Sequence, residues 1–150
     1  MDDKLEALNQ EIQAIVRALA QEDQMARQMA DLEQQRDERR LRVRQTALLA
    51  EKGPRLILVT LGGRGVFYRW LRLTGLVPGV PVQATDTNGA GDSFLGAVLS
   101  RLARRGPAPL EGLEMGELEE VLAFANRAAA LTCSRSGAIP AMPTLAELEN

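Results

Sequence analysis

No histidine occurs in this chain, and cysteine occurs once. Without histidine, the usual Ser-His-Asp triads and most zinc sites are excluded. A single thiol, Cys133, cannot close an internal disulfide. Set in an apolar run, it reads as a buried structural thiol rather than a nucleophile. Aromatic residues make up only 3%. None falls in the arginine-rich stretch Arg36, Arg39, Arg40, Arg42 and Arg44, which is interleaved with Asp37 and Glu38. That mixture reads as a solvated helix face, not a nucleic-acid surface. The net charge of −2 supplies no basic field for nucleic acid or an anionic membrane. No apolar run approaches a membrane span, and the acidic, polar N-terminus lacks a signal-peptide pattern, so the default compartment is cytoplasmic. A Walker-type G-x-x-x-x-G-K-[ST] is missing. Gly89-Ala90-Gly91 lacks the third glycine of a dinucleotide fingerprint.

What is present divides into two unlike parts. Residues 1 to 52 contain neither glycine nor proline and are rich in Gln, Glu, Arg, Ala and Leu, all good helix formers. Leu5, Leu8, Ile12, Ile15 and Leu19 follow alternating three- and four-residue steps, and Ala26 and Met29 keep that register. Glu33 and Arg36 then break it. A straight helix through the whole stretch would be roughly 75 Å long, so a break or frayed region is expected near residues 34 to 42. A coiled-coil homodimer through this N-terminal helix and packing on the chain's own sheet both fit the seam.

The remainder reads as α/β. Leu56 to Leu61 is a continuous apolar run, as in a buried parallel strand. Gly62-Gly63-Arg64-Gly65 makes a turn. Val66 to Trp70 and Leu71 to Val77 suggest a hairpin, and Val82 to Thr85 a short strand. Phe94, Leu95, Val98, Leu99 and Leu102 recur at helical spacing up to the stop at Gly106-Pro107. A second helix is predicted from about Met115 to Ser134, and a short one after Pro143-Thr144.

Asp86-Thr87-Asn88-Gly89-Ala90-Gly91-Asp92-Ser93-Phe94 carries the chemistry. It sets glycines and a carboxylate at a loop-to-helix junction. The first amides of a helix lack internal partners and sit at the positive end of its dipole. Glycines let a ligand come close, so the junction is an anion site. A carboxylate there suits proton removal during phosphoryl transfer. The plainer reading is a turn in which Asp92 caps the helix.

The whole run Asp-Thr-x-Gly-Ala-Gly-Asp-Ser-Phe resembles the C-terminal signature of the ribokinase-like (PfkB) carbohydrate kinases. The likeness covers about residues 45 to 148, and residues 56 to 103 read most like the fructokinase branch. It implies an α/β fold: the C-terminal half of a three-layer ribokinase-like domain over residues 45–150, preceded by a helical segment over 1–44. It implies an ATP-dependent transfer to a sugar hydroxyl. Gly89, Ala90 and Gly91 would form the anion hole, and Asp92 would be the base. Val59-Thr60-Leu61-Gly62-Gly63-Arg64-Gly65 resembles the family's V-T-x-G-x-x-G segment, so Thr60, Gly62 and Gly65 become ATP contacts. Asn126, in the helix that resembles the one flanking adenine, and Gly137 join them. Magnesium would bridge the phosphates. Asp86, Asn88, Thr132, Arg135 and Gly137 match positions near a monovalent cation such as K+ in some members. The family's Gly-Gly sugar signature and lid sheet are not visible in residues 1 to 44. That points to a truncated kinase lacking the sugar-binding half, or to a non-catalytic, nucleotide-binding or oligomerising remnant.

Overall fold

The computed structural model describes residues 2–149. It contains α1 (Asp2–Ala50), β1 (Leu56–Thr60), β2 (Val66–Trp70), β3 (Leu73–Val77), α2 (Ala90–Ala103), α3 (Met115–Cys133) and α4 (Leu145–Glu149). Two compact units result, Met1–Gln45 and Thr46–Asn150. Among the described residues no helix is long and apolar enough to cross a membrane.

Helix α1 runs unbroken through the segment where a break was expected. Side-chain pairs one turn apart bridge that stretch: Gln35 to Asp31 at 2.7 Å, Gln34 to Glu38 at 3.2 Å and Arg42 to Glu38 at 3.1 Å. Such i,i+4 pairs reinforce a helix. No proline or glycine is there to kink it.

In the second unit the strands form one antiparallel sheet in the order β1-β2-β3. Leu56 pairs with Trp70 and Thr60 with Val66; Val66 pairs with Val77 and Trp70 with Leu73. The parallel strand expected at Leu56 to Leu61 is therefore antiparallel to its partner, β2. A parallel connection needs a crossover of a dozen or more residues, whereas Thr60 and Val66 are joined by a tight turn containing a 3-10 segment, Gly62–Arg64. A continuous apolar run reports burial and not strand direction. The β2–β3 hairpin forms as predicted. Its turn holds Leu71 at φ 54, a left-handed conformation for a residue with a side chain. Residues 82–85 are not a strand. They cross the surface with Thr85 N–H donating to the Cys133 carbonyl at 2.7 Å.

Strand β2 is buried along its whole length. Its alternating side chains serve two faces. Val66, Tyr68 and Trp70 join Phe94, Val98 and Leu102 of α2 and Leu118, Leu122, Ala125 and Ala128 of α3 in the core. Phe67 and Arg69 point the other way, where Arg69 Nε donates to Thr46 Oγ1 at 3.0 Å. Leu95 and Leu99 share the apolar spacing of α2 but are exposed, because the buried arc of the helix passes through 94, 97, 98 and 102. The core also holds polar groups in place. Tyr68 donates its hydroxyl to Glu119 at 2.6 Å; burial first, and then the Glu119 carboxylate, push the phenol up to about 12. The Trp70 indole donates to the Leu113 carbonyl at 3.2 Å. Helix α3 starts where the Glu114 amide donates to Glu117 at 3.0 Å, and α4 where Thr144 and Glu147 bond each other's ends.

Candidate functional site

Helix α2 opens at Gly89, its N-cap, which is held at φ 78 and ψ −3. That left-handed conformation costs glycine little. No side chain caps the helix, so the reading of Asp92 as a cap fails. The Ala90 amide turns back to the Thr87 carbonyl at 3.4 Å, and Ser93 donates to Gly89 at 2.9 Å. Between them, the amides of Gly91 and Asp92 have no partner among the described residues. They are the free donors that every helix start leaves over.

Gly91 lies on the wall of a cavity of about 450 Å³, and Asp92 follows it in the chain. Three elements and the loop after β3, from Gly79 to Thr87, build its wall. The β1–β2 turn contributes Thr60, Gly62, Gly63 and Gly65; helix α2 contributes Ala90, Gly91 and Phe94; helix α3 contributes Asn126, Ala129, Ala130 and Cys133. The turn packs backbone to backbone against Gly79, whose absent Cβ would lie 2.3 Å from the Gly63 carbonyl. The size suits a small organic ligand.

The expected site residues fall into three groups. Thr60, Gly62, Gly65, Asn126, Ala90 and Gly91 line the cavity together. Asn126 is buried, and its amide nitrogen donates to the carbonyls of Val77 at 3.2 Å and Pro78 at 2.9 Å. It therefore ties α3 to the end of β3, and its carbonyl oxygen is the part left for a ligand. Asp92 is exposed at the helix start and is not part of the cavity wall. Its carboxylate makes no hydrogen bond or ion pair among the described residues.

The third group lies outside the cavity wall, as does Gly89. Asp86 accepts the amides of Asn88 at 3.0 Å and Gly137 at 3.1 Å, one on each carboxylate oxygen. Asp86 thus latches the signature loop to the loop after α3. Those two amides, Asn88 first, hold its carboxyl below the usual carboxylate range. The Thr132 hydroxyl is buried and bonded to Ser93 and to the Ala128 carbonyl, both at 2.9 Å. Arg135 is paired with Glu147 at 2.6 Å, and that contact, with the Thr144 amide and hydroxyl, pushes Glu147 down to about 2.

Since the Asp86 pKa is depressed by folding, the latch stabilises the protein above the ordinary carboxylate range. It is lost as pH falls through the folded value. An Asp86→Asn variant is expected to melt below the parent at pH 7, because one amide then faces an NH2 group. The gap between the two melting temperatures should begin to narrow as the pH falls below about 4, the ordinary carboxylate value, and close only below the lower folded one. Thermal melts between pH 7 and 3 check this.

Gly79, Phe94, Ala129 and Cys133 line the cavity, a place the sequence reading does not give them. Cys133 is half-buried against this cavity rather than sealed in the core. One signal was available: Asn126, Ala129, Ala130 and Cys133 form a small-residue row at helical spacing. The free amide of Asp92 was legible only as part of a helix start.

Residues 2–145 match the pfkB family carbohydrate kinases, a match that begins well before the residue-45 start of the motif likeness. Fructokinase-1 of Oryza sativa subsp. japonica is 44% identical over 94 residues, 63% of this chain and 28% of that protein. Probable fructokinase-5 of Arabidopsis thaliana is 45% identical over 95 residues, again 28% of its length. This chain thus spans under a third of the curated relatives it matches. Among solved structures, a Xylella fastidiosa fructokinase with bound ATP superposes with TM-score 0.60 and 34% identity, over 63% of this chain and 31% of that one. A Vibrio cholerae O395 fructokinase in a fructose, ADP and calcium ion bound form gives TM-score 0.60 and 31% identity, over 67% and 32%. With the signature at a helix start, the glycine turn and the cavity between them, this chain belongs to the pfkB family of carbohydrate kinases.

Proposed function

We propose that residues 46–150 form the nucleotide side of an ATP-dependent carbohydrate kinase site, fructokinase-like in its acceptor. One observation carries this reading: the unpartnered amides of Gly91 and Asp92 stand beside a cavity of nucleotide-accommodating size, with an unpaired carboxylate at the same helix start. The cavity receives the base and ribose between the glycine turn and α3, near the Asn126 carbonyl oxygen. The helix start receives the phosphates. Asp92, outside the cavity and in solvent, faces the side from which a sugar hydroxyl would approach, and it takes that hydroxyl's proton. ATP supplies the transferable phosphoryl group, and magnesium enters on its phosphates. A monovalent cation would sit at backbone oxygens of the two loops that Asp86 latches, since both oxygens of that carboxylate already accept amides. The ligands held by the Xylella and Vibrio fructokinases support this choice of nucleotide and sugar, and a divalent metal in general.

A second reading keeps the nucleotide and drops the chemistry: a binding, oligomerising member of the family. It has its own observation, the exposed apolar row on α1. Titration calorimetry of the full chain with MgATP, followed by ADP release over a sugar panel, separates the two. Binding with sugar-dependent release is the expected result, and Asp92→Asn should then cut release by about 10²–10⁴-fold. Binding without release selects the second reading. A folded chain that takes up no MgATP overturns both.

A further inference from the structure

Leu5, Leu8, Ile12, Ile15, Leu19 and Met29 lie along one stripe of α1 and are 48–65% exposed. Side chains of this kind, repeated every 3.5 residues on average, are complementary to another helix with the same repeat. The sequence offers one such helix, its own. A stripe that must meet itself can do so in two directions, and the polar residues interrupting it discriminate between them.

In a parallel pair each layer matches a residue with itself. Glu22 would face Glu22, Glu33 would face Glu33 and Arg36 would face Arg36, three like-charge layers along one seam. In an antiparallel pair centred on residue 17 the layers change partners. Ile15 meets Leu19 of the second copy, Leu8 meets Ala26 and Leu5 meets Met29. Glu22 meets Ile12, at a layer it can leave toward solvent, and Glu33 and Arg36 fall outside the overlap. The flanking positions agree. Val16 comes against Val16 and Ala18 against Ala18 beside the axis, which broadens the apolar strip at its centre. The overlap runs from residue 5 to 29, about 36 Å of helix. The arrangement is two-fold and closed, so it stops at a dimer.

We infer that residues 5–29 of α1 form an antiparallel, two-fold coiled coil with a second copy of this chain, its axis at residue 17. Nucleotide binding plays no part in this, so the two proposals stand or fall separately.

Sedimentation of the full chain tests the assembly. The parent is expected to run as a dimer. Ile15→Lys with Leu19→Lys, which puts four cations at the centre, should weaken association by about a hundredfold or more. A gain variant guards against a merely misfolded one: Glu22→Leu replaces both symmetry-related mismatched layers and should tighten the dimer at least tenfold. Direction is read by disulfide capture in a Cys133→Ser background. Leu5→Cys mixed with Met29→Cys should cross-link as a hetero-pair, and Leu5→Cys alone should not. A monomeric parent, an unchanged Glu22→Leu dimer, or self-cross-linking of Leu5→Cys overturns the proposal.

Discussion

Replacing Gly65 with alanine is expected to lower the melting temperature of the 46–150 unit by more than about 10 °C. Gly65 ends the turn after β1 at φ 100 and ψ −138. Its amide donates to Gly62 at 3.0 Å and its carbonyl accepts from Leu61 at 2.8 Å, so the chain cannot swing away freely. A Cβ built there lies 2.1 Å from the Val77 carbonyl oxygen and 2.4 Å from the Gly79 nitrogen, both backbone atoms. Two penalties add: the backbone conformation, worth about 1–3 kcal/mol, and an overlap that only moving the end of β3 relieves. A total of about 3 kcal/mol or more is at the severe end for one substitution, and each kcal/mol moves a domain of this size by roughly 4–8 °C. Gly63 is the control. A Cβ there meets nothing within 4 Å and its backbone is not in the left-handed region, so Gly63→Ala should change the melting temperature little. Calorimetric melts of both variants measure the contrast. Equal effects would mean that the turn adapts and that its close packing on Gly79 is not required.

The second large effect is on binding and leaves the fold alone. Gly91→Val is expected to abolish detectable MgATP uptake while the melting temperature stays within a few degrees of the parent. A Cβ at Gly91 meets nothing within 4 Å, and the residue is exposed at the cavity wall. Helix propensity opposes no such change, since glycine is the poorest former but proline. A branched side chain there occupies the space through which the free amides of Gly91 and Asp92 would reach a phosphate. The loss should be about 10²-fold or more, the scale of removing one preorganised donor. Gly91→Ala is the graded case, firmer as a helix by up to about 1 kcal/mol and weaker in binding than the parent. Calorimetry and thermal melts on the three proteins check this, and undiminished uptake by Gly91→Val would move the phosphates away from α2.

These two glycines show why parts of the site were legible and parts were not. Gly91 belongs to a motif whose residues are neighbours in sequence, and the apolar spacing after it announces a helix start. The free amides follow from that alone. Gly65 and Gly79 meet across β2 and β3, and nothing in either local sequence states the meeting. The same division holds in the scaffold. The stop at Gly106-Pro107 and the limits of α3 come from turn residues and periodicity, and the hairpin from two adjacent apolar runs. The direction of β1 depends on its partner, and a continuous apolar run is silent on that. The continuity of α1 through residues 34–42 depends on Asp31, Glu38 and Arg42 meeting side chains one turn away, a pairing that reads at first sight as mere charge. Cys133 looked sealed because its neighbours in sequence are apolar, but its side of α3 faces the cavity.

Residue order by itself determined the helices, the hairpin, the acid at the helix start and the likeness to carbohydrate kinases, because each rests on contacts or spacings within one or two turns of chain. Only the tertiary structure decided that the glycine turn, the loop after β3, α2 and the small-residue row of α3 enclose one cavity, that Asp86 holds two loops together, and that Asp92 lies in solvent beside the cavity wall. Those facts depend on which surfaces approach closely, and such approaches join residues as far as 51 positions apart that carry no mark of one another.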